Sequence, residues 1–122
     1  MDATGRHATS RHLGIDLGGT NIKWVVAEQD GQAWRVLDRD QVATVAADGP
    51  EAVVARLASV GAEAISRTPG VTTVGIGVPG LYDPSDGSTR FLVNLPGEWA
   101  GRAVAGPVGS ALGLPARLVN DA

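Results

Sequence analysis

The segment DLGGTN at residues 16–21 constrains the fold more than any other part of this sequence, because it separates two short apolar runs. Residues 13–17 have the apolar-rich pattern of a buried strand, and residues 22–27 repeat it. A pair of glycines between two such runs predicts a hairpin. After the turn at Asp30-Gly31, an imperfect alternation over residues 34–45 adds a third, more exposed strand. The N-terminal part of the chain therefore predicts a three-strand meander.

Beyond Pro50 the apolar residues follow a helical period instead. A first helix is predicted from Pro50 to the stop signal Pro69-Gly70, with an apolar face made of Val53 or Val54, Leu57, Val60 and Ala64 or Ile65. The predicted elements that follow are a strand (72–78), a loop excursion (80–99) with a short hairpin around 83–87, a helix (Val104, Val108, Leu112) and a strand (116–119). Helices between strands imply right-handed parallel crossovers. The predicted fold class is α/β, a mixed sheet in which helix-connected parallel strands follow the meander.

Composition excludes several classes of protein. Aromatic residues make up 4% of the chain and apolar residues 43%, so the core has to be aliphatic. The net charge is -3 and the basic residues are scattered, which argues against nucleic-acid binding. There is no cysteine for a disulfide or thiolate metal site, and no apolar run approaches the roughly 20 residues of a membrane span. We expect a cytoplasmic protein without a membrane partner.

Residues 1–12 are polar and lack periodicity, so they are expected to form a disordered tail. His7 and His12 lie in this segment. Two histidines on a mobile segment lack the fixed geometry of a metal site, so we expect both to be solvated.

The segment at residues 16–21 also carries the groups of an anion site. Asp16 ends a buried strand, and Gly18 and Gly19 allow backbone N–H groups to approach a phosphate closely. Thr20, Asn21 and Lys23 add donors and positive charge, and the Asp16 carboxylate is a suitable Mg²⁺ ligand. The alternative is an ordinary glycine hairpin capped by Asp16. The combination favours phosphate binding, although the segment is not a Walker A loop because no Gly-Lys-Ser/Thr follows.

A second glycine-rich segment, GIGVPG at residues 75–80, formally matches a dinucleotide-binding fingerprint, with Glu98 near the distance of a ribose-binding acid. That fingerprint must open a helix, whereas Pro79-Gly80 opens a loop, so the match is interpreted as spurious and a dehydrogenase ranks last among the candidate functions. Gly75 and Gly77 are interpreted as close-approach positions in a strand, and Gly80 as a turn that offers backbone to a ligand.

Two further segments carry polar side chains, and the pairing of an amide with an aromatic ring in the first of them is suited to a polyol. Asn94 lies in a loop stiffened by Pro96 and Gly97, beside Trp99; the alternatives are a turn residue for Asn94 and a partly buried anchor for Trp99. Asp121 follows Asn120 at the end of an apolar strand, where its carboxylate would share the carboxyl edge of the sheet with Asp16. One acid could then serve a metal and the other a proton, although Asn and Asp also cap helices.

Taken together, these segments resemble the ROK family of sugar kinases: DLGGTNIK (16–23), GIGVPG (75–80), Asn94 with Trp99, and Leu114-Pro115 followed by VNDA (119–122). The resemblance runs from residue 13 to the last residue. It implies an actin-like, ribonuclease H-like ATPase domain that phosphorylates a hexose with ATP and Mg²⁺. By the same resemblance, residues 16–23 form the phosphate and Mg²⁺ loop, Gly80, Asn94 and Asn120 bind sugar hydroxyls, and Asp121 is the catalytic base.

The resemblance also implies that residues 13–122 are an N-terminal domain. Family members continue into a second domain with the adenosine site, a zinc motif and further sugar ligands. The chain alone is therefore expected to have little or no turnover, and the full-length protein to be a homo-oligomer. Glucose is the first substrate that the family implies, with mannose, fructose, allose and N-acetylated hexosamines as alternatives and polyphosphate as an alternative donor.

Two other classes of function remain open at this point. One is a non-catalytic, sugar-sensing ROK protein; the repressors of the family carry a helix-turn-helix domain ahead of this region, where only 12 residues stand here, which disfavours that branch. The other is an actin-like ATPase whose nucleotide cycle moves a partner.

Overall fold

The computed structural model describes residues 8–120, so residues 1–7, including His7, and the last two residues, including Asp121, lie outside the described part. The chain forms the following elements in order: β1 (Thr9–Leu17), β2 (Asn21–Asp30), β3 (Ala33–Ala43), a 3-10 turn (Ala46–Asp48), α1 (Pro50–Arg67), β4 (Val71–Val78), β5 (Gly80–Asp83), β6 (Ser88–Leu92), β7 (Arg102–Ala103), α2 (Ala105–Leu112) and β8 (Ala116–Asn120).

Five strands form one mixed sheet in the order β3-β2-β1-β4-β8. The meander β1-β2-β3 is antiparallel, while β4 and β8 run parallel to β1. This confirms the predicted mixed sheet, with a three-strand meander followed by parallel strands reached through helices. The loop excursion forms a separate three-stranded sheet, β5-β6-β7, of which the sequence predicted only the hairpin.

Alternation along the central strand decides which face of the sheet is the core. Leu13, Ile15 and Leu17 of β1 are buried, whereas Gly14 and Asp16 between them face the other side. The buried residues join one cluster with Val53, Leu57 and Ala64 of α1 and Val108 of α2. The two helices therefore cover one face of the sheet, in agreement with the predicted aliphatic core, and the face that carries Asp16 is left open by the described elements.

Helix ends follow the signals in the sequence. α1 begins at Pro50, where the missing N–H of proline costs no helical hydrogen bond, and ends at Arg67 before Pro69-Gly70. α2 ends at Leu112, and Gly113 directly after it adopts a left-handed conformation (φ 68°). None of the helices among residues 8–120 is long and apolar enough to cross a bilayer.

The predicted disordered tail is wrong for residues 9–12. β1 begins at Thr9 because this segment pairs with β2 up to Asp30. His12 is half-buried rather than solvated: its Nδ1 lies 2.6 Å from the hydroxyl of Thr73, its Nε2 lies 2.8 Å from the hydroxyl of Ser10, and its ring contacts that of Trp34 in a tilted arrangement. Strand pairing orders this segment although the sequence has no apolar pattern there.

Candidate functional site

The three parallel strands of the sheet end at the same edge. Asp16 of β1 is in register with Gly77 of β4, and Gly77 is in register with Val119 of β8. On the other side of β1, Asp16 faces Lys23 of β2. Because paired residues of neighbouring strands share a face, Asp16 and Lys23 project to the same, uncovered side of the sheet.

An open cavity of about 740 Å³ occupies this side of the sheet. Asp16 and Lys23 line it together with Asn120 at the end of β8 and with Arg39 and Gln41 of β3. Gly14, Gly75 and Gly77 contribute no side chains, which leaves the floor of the cavity bare. A mixture of carboxylate, cationic and amide groups is suited to a ligand that is both charged and rich in hydroxyl groups.

Asp40 at the rim of this cavity belongs to an ion-pair cluster. The guanidinium of Arg67 donates to Asp40 at 2.8 Å and to Asp38 at 2.9 Å. The hydrogen bond from Arg67 is the main reason that the pKa of Asp40 lies below its ordinary value, and the backbone N–H of Gln41 adds to the effect. Asp40 is therefore a carboxylate already engaged by protein donors.

The glycine turn between β1 and β2 is tight. The Gly18 N–H donates to the Asn21 carbonyl at 3.0 Å, and a Cβ on Gly18 would lie 2.9 Å from that same oxygen. Within the described residues, the N–H groups of Gly19 and Thr20 have no backbone acceptor. These two groups can therefore donate to a ligand, as a phosphate-binding turn requires.

The glycine turn contacts the loop that carries Asn94. A Cβ on Gly19 would lie 2.8 Å from the carbonyl oxygen of Asn94 and 3.0 Å from its Cβ, so the close approach requires a glycine. Asn94 adopts a left-handed conformation (φ 60°), which asparagine tolerates better than most residues. This confirms a turn role for Asn94 and places its exposed amide next to the predicted phosphate loop.

Gly80 lies between this loop and the end of β4. A Cβ on Gly80 would overlap the carbonyl oxygen of Phe91, and the Val93 N–H donates to the Pro79 carbonyl at 2.8 Å. These contacts bring Gly80 to the base of the segment that carries Asn94. The segments that the sequence analysis singled out separately thus meet at one edge of the sheet.

Trp99 is the buried anchor of this loop rather than a platform for a ligand. Only 3% of its surface is exposed, and its indole N–H donates to the Pro96 carbonyl at 3.3 Å. The hydroxyl of the buried Thr89 donates to the Trp99 carbonyl at 2.6 Å. Of the two interpretations of Trp99, the structure therefore supports the anchor.

The two predictions for GIGVPG have different outcomes. Gly75 and Gly77 lie within β4, and Gly80 begins β5 without an intervening helix, so the rejection of a dinucleotide fingerprint is confirmed. The close-approach interpretation of Gly75 and Gly77 is not supported: a Cβ on Gly75 would meet nothing within 4 Å, and one on Gly77 would make an ordinary contact at 3.6 Å with Asp16. Their effect in the described chain is to leave the cavity floor open.

The metal ligands available near Asp16 fit a metal ion that is bound together with a phosphate, and not one that is coordinated by protein side chains alone. No group of three or more His, Cys, Asp or Glu side chains suited to a metal occurs among residues 8–120. Mg²⁺ commonly binds through one or two carboxylates together with substrate phosphates. Asp16 can supply one such carboxylate from the cavity wall.

Four residues of this region were not predicted from the sequence: Arg39 and Gln41 in the cavity, and Thr44 and Arg56 behind the glycine turn. The alternation of β3 could have identified the first two, since Gln41 pairs with Lys23 and Arg39 with Val25. No local signal marks Thr44, which follows β3 as a single polar residue, or Arg56 on α1. Their roles depend on contacts between segments far apart in the sequence.

A family model described as "ROK family" matches residues 12–122. Among curated proteins, a glucokinase of Thermotoga maritima is 33% identical over 110 residues, which are 90% of this chain and 33% of that protein. An N-acetyl-D-glucosamine kinase of Citrobacter koseri is 31% identical over 111 residues, which are 91% of this chain and 35% of that protein. The chain thus spans about a third of the length of these curated relatives.

The solved structures that match this chain include a protein named as a sugar kinase and one named as a member of the ROK family. An inorganic polyphosphate/ATP-glucomannokinase of Arthrobacter sp. strain KM matches with a TM-score of 0.75 and 30% identity, over 93% of this chain and 45% of that one. A ROK family transcriptional regulator, a homologue of the E. coli MLC protein, matches with a TM-score of 0.70 over 91% of this chain and 28% of that one; at 21% identity this shows the fold alone. The predicted actin-like, ribonuclease H-like fold is confirmed.

Proposed function

This chain belongs to the ROK family, and we propose that residues 13–122 are the N-terminal phosphate- and sugar-binding domain of a hexose kinase that uses ATP. The observation that carries the proposal is the contact between Gly19 and Asn94. It joins a turn suited to phosphate to a loop suited to a polyol, and phosphoryl transfer needs donor and acceptor side by side. The relatives named as sugar kinases support the same activity.

On the donor side, the N–H groups of Gly19 and Thr20 would bind phosphate oxygens, with Gly18 forming the turn and Asn21 and Lys23 beside it. Asp16 would hold a Mg²⁺ ion, which neutralises charge on the phosphates when it is bound. Lys23 faces Asp16 across the β1-β2 pair and adds positive charge to the same cavity. The chain's groups therefore orient the phosphates and offset their charge, which is the main catalytic requirement of this reaction.

On the acceptor side, the backbone of Gly80 and the amides of Asn94 and Asn120 would bind sugar hydroxyls. Asp121, outside the described residues, directly follows Asn120, which lines the same cavity as Asp16. We propose that the Asp121 carboxylate orients the attacking hydroxyl and accepts its proton as the bond to phosphorus forms. Asp16 and Asp121 would then divide the work between metal and proton.

The test is sugar-dependent release of ADP by the full-length protein, measured with a panel that includes glucose, mannose and N-acetylglucosamine, and with ATP or polyphosphate as donor. Asp121→Asn should lower kcat by a factor of about 10² to 10⁴, the usual contribution of a general base, while the KM for ATP changes little. Asp30→Asn is the matched control, because Asp30 ends β2 at the β2-β3 turn, at the opposite end of β1 from Asp16. ADP release without any sugar dependence would contradict the proposal.

A sugar-responsive regulator is the second candidate, because a ROK family transcriptional regulator shares the fold with a TM-score of 0.70. Such a protein would use Asn94 and Asn120 but would not need Asp121 as a base. The regulator would be favoured if the wild-type protein releases no ADP with any sugar and the Asp121→Asn variant still binds sugar.

A further inference from the structure

Thr44, which lies just after β3 and outside the predicted site, is attached to the glycine turn at two points. Its hydroxyl donates to the Gly18 carbonyl at 2.7 Å, and its backbone N–H donates to the Thr20 carbonyl at 2.8 Å. The residue is completely buried. A buried hydroxyl that donates to a main-chain carbonyl fixes the position of that carbonyl, since breaking the bond would leave both groups without water.

These two hydrogen bonds decide which groups of the turn remain available. Thr44 engages the carbonyls of Gly18 and Thr20, and the Gly18 N–H engages the carbonyl of Asn21. Three of the four carbonyl oxygens in residues 18–21 are thus occupied by protein donors. A carbonyl oxygen repels a phosphate, so holding these oxygens in protein hydrogen bonds favours a turn that presents N–H groups to an anion.

Thr44 is in turn held by the first helix. The guanidinium of Arg56 on α1 donates to the Thr44 carbonyl at 2.5 Å and to the Asp48 carboxylate at 2.9 Å. Arg56 is mostly covered, with 26% of its side chain exposed. Since α1 packs on the core face of the sheet, these contacts connect the turn to an element of the buried core.

We propose that Thr44 is a positioning residue for the phosphate loop: it holds the carbonyls of Gly18 and Thr20 so that the loop presents its N–H groups, and Arg56 holds Thr44 in place. This inference rests on the proposed function in one respect, that the ligand of the turn is the phosphate of a nucleotide. Thr44 itself does not touch the reacting atoms.

The experiment compares Thr44→Val, which keeps the shape but removes the hydroxyl, with Thr44→Ser, which restores it. In the full-length protein, Thr44→Val should raise the KM for ATP about tenfold, the factor expected for the loss of one such hydrogen bond, and change the KM for the sugar less than about twofold. Thr44→Ser should bring the KM for ATP back to within about threefold of wild type.

Ser88→Ala is the matched control. Ser88 is also buried, and its hydroxyl donates to the Asp86 carboxylate at 2.6 Å, but it lies at the β5-β6 turn of the separate small sheet. Its loss should lower stability without raising the KM for ATP. If Ser88→Ala raises that KM as much as Thr44→Val does, or if Thr44→Ser behaves like Thr44→Val, the inference is overturned.

A second measurement separates this inference from the proposed function. Exchange of the Gly18 amide, whose N–H donates to the Asn21 carbonyl, should be at least about tenfold faster in Thr44→Val than in wild type, whereas Ser88→Ala should leave it unchanged. Unchanged exchange in Thr44→Val would overturn the inference even if the wild-type protein is a kinase. Faster exchange would support it even if no sugar-dependent ADP release is found.

If Thr44→Val does not fold, Arg56→Gln provides a second test of the same inference. This variant keeps the hydroxyl of Thr44 but removes the hydrogen bond from α1 to the Thr44 carbonyl. A selective rise of several-fold in the KM for ATP is expected. An unchanged KM for ATP in a folded Arg56→Gln protein would contradict the role given to the helix.

Discussion

At the scale of single residues, the site depends on two positions where a side chain is either excluded or forced into an unusual conformation. Gly19 leaves no room for a Cβ against Asn94, and Asn94 adopts φ 60°. Both features serve one contact between the glycine turn and the Asn94 loop. The sequence predicted separate roles for the two residues, phosphate binding for Gly19 and sugar binding for Asn94.

Gly19→Ala tests this contact. Its Cβ would lie 2.8 Å from a backbone oxygen of Asn94, which cannot move without the whole loop, so the turn and the loop must separate. We expect the free energy of unfolding to fall by about 1–3 kcal/mol, as for other overpacked sites, and the KM values for ATP and sugar to rise together. Denaturant titration and steady-state kinetics of the full-length protein measure the two effects.

Gly106→Ala is the control for Gly19→Ala. A Cβ at this exposed position of α2 would meet nothing within 4 Å, and alanine favours a helix by up to about 1 kcal/mol over glycine. It should therefore keep or raise stability. A rise in only one of the two KM values in Gly19→Ala would show that the two loops do not act together.

At the scale of elements, the edge strand β3 is attached to α1 through Arg67. The guanidinium pairs with Asp38 and Asp40 and lies 4.9 Å from the centre of the Trp24 ring. An edge strand has only one neighbour in the sheet, so such contacts supplement its pairing with β2. β3 also supplies Arg39 and Gln41 to the cavity, so its position matters for the site.

Acid should weaken this attachment. Arg67 holds the pKa of Asp40 below its ordinary value of 3.8, and a carboxyl whose pKa is lower in the folded state stabilises the fold above its unfolded pKa. This contribution is lost as the pH falls through the folded pKa, that is, below 3.8. Arg67→Gln should therefore lower the Tm at pH near 7, and the difference from wild type should shrink below about pH 3.8.

Thermal unfolding from neutral pH to about pH 2.5 measures this prediction. Arg102→Gln is the control. Arg102 donates to the main-chain carbonyl of Glu98 at 3.0 Å, and this substitution therefore removes a hydrogen bond to a group that does not titrate. Its effect on the Tm should not depend on pH. A constant difference for Arg67→Gln over the same range would show that Asp40 does not couple to Arg67.

At the scale of the whole molecule, the helices of the described chain cover one face of the sheet and leave the other as an open cavity. Phosphoryl transfer requires that water be kept from the transferred group, which an open cavity does not do. The chain also spans about a third of the length of its curated relatives. The site described here is therefore proposed to work together with a second part of the full-length protein.

We accordingly expect residues 1–122 alone to release ADP with sugar at less than about one-hundredth of the rate of the full-length protein, because closure over the substrate is missing. Coupled ADP release by both proteins at equal concentration measures this. Circular dichroism of the short protein confirms that it is folded. A comparable kcat for the short, folded protein would contradict the proposed need for a second part.

Much of this fold was predictable because it is local. The change of apolar period at Pro50, the glycine pair at residues 18–19 and the Gly113 stop each act within a few residues, and each corresponds to an observed boundary. The start of β1 at Thr9 and the strand β7 were not predicted, because a polar strand is ordered by its partner and not by its own composition. The same locality allowed residues 16–21 to be predicted as a phosphate loop from the sequence.

What the sequence by itself determined is the order and type of the main elements and the chemical groups available at their ends. Tertiary structure alone decided how those groups meet: the Gly19–Asn94 contact and the Thr44 hydroxyl on Gly18 join residues 75 and 26 positions apart. Such contacts depend on how strands and helices pack against each other, and the packing energy is spread over the whole aliphatic core. No local pattern records it, which is why Thr44 could be found only in the structure.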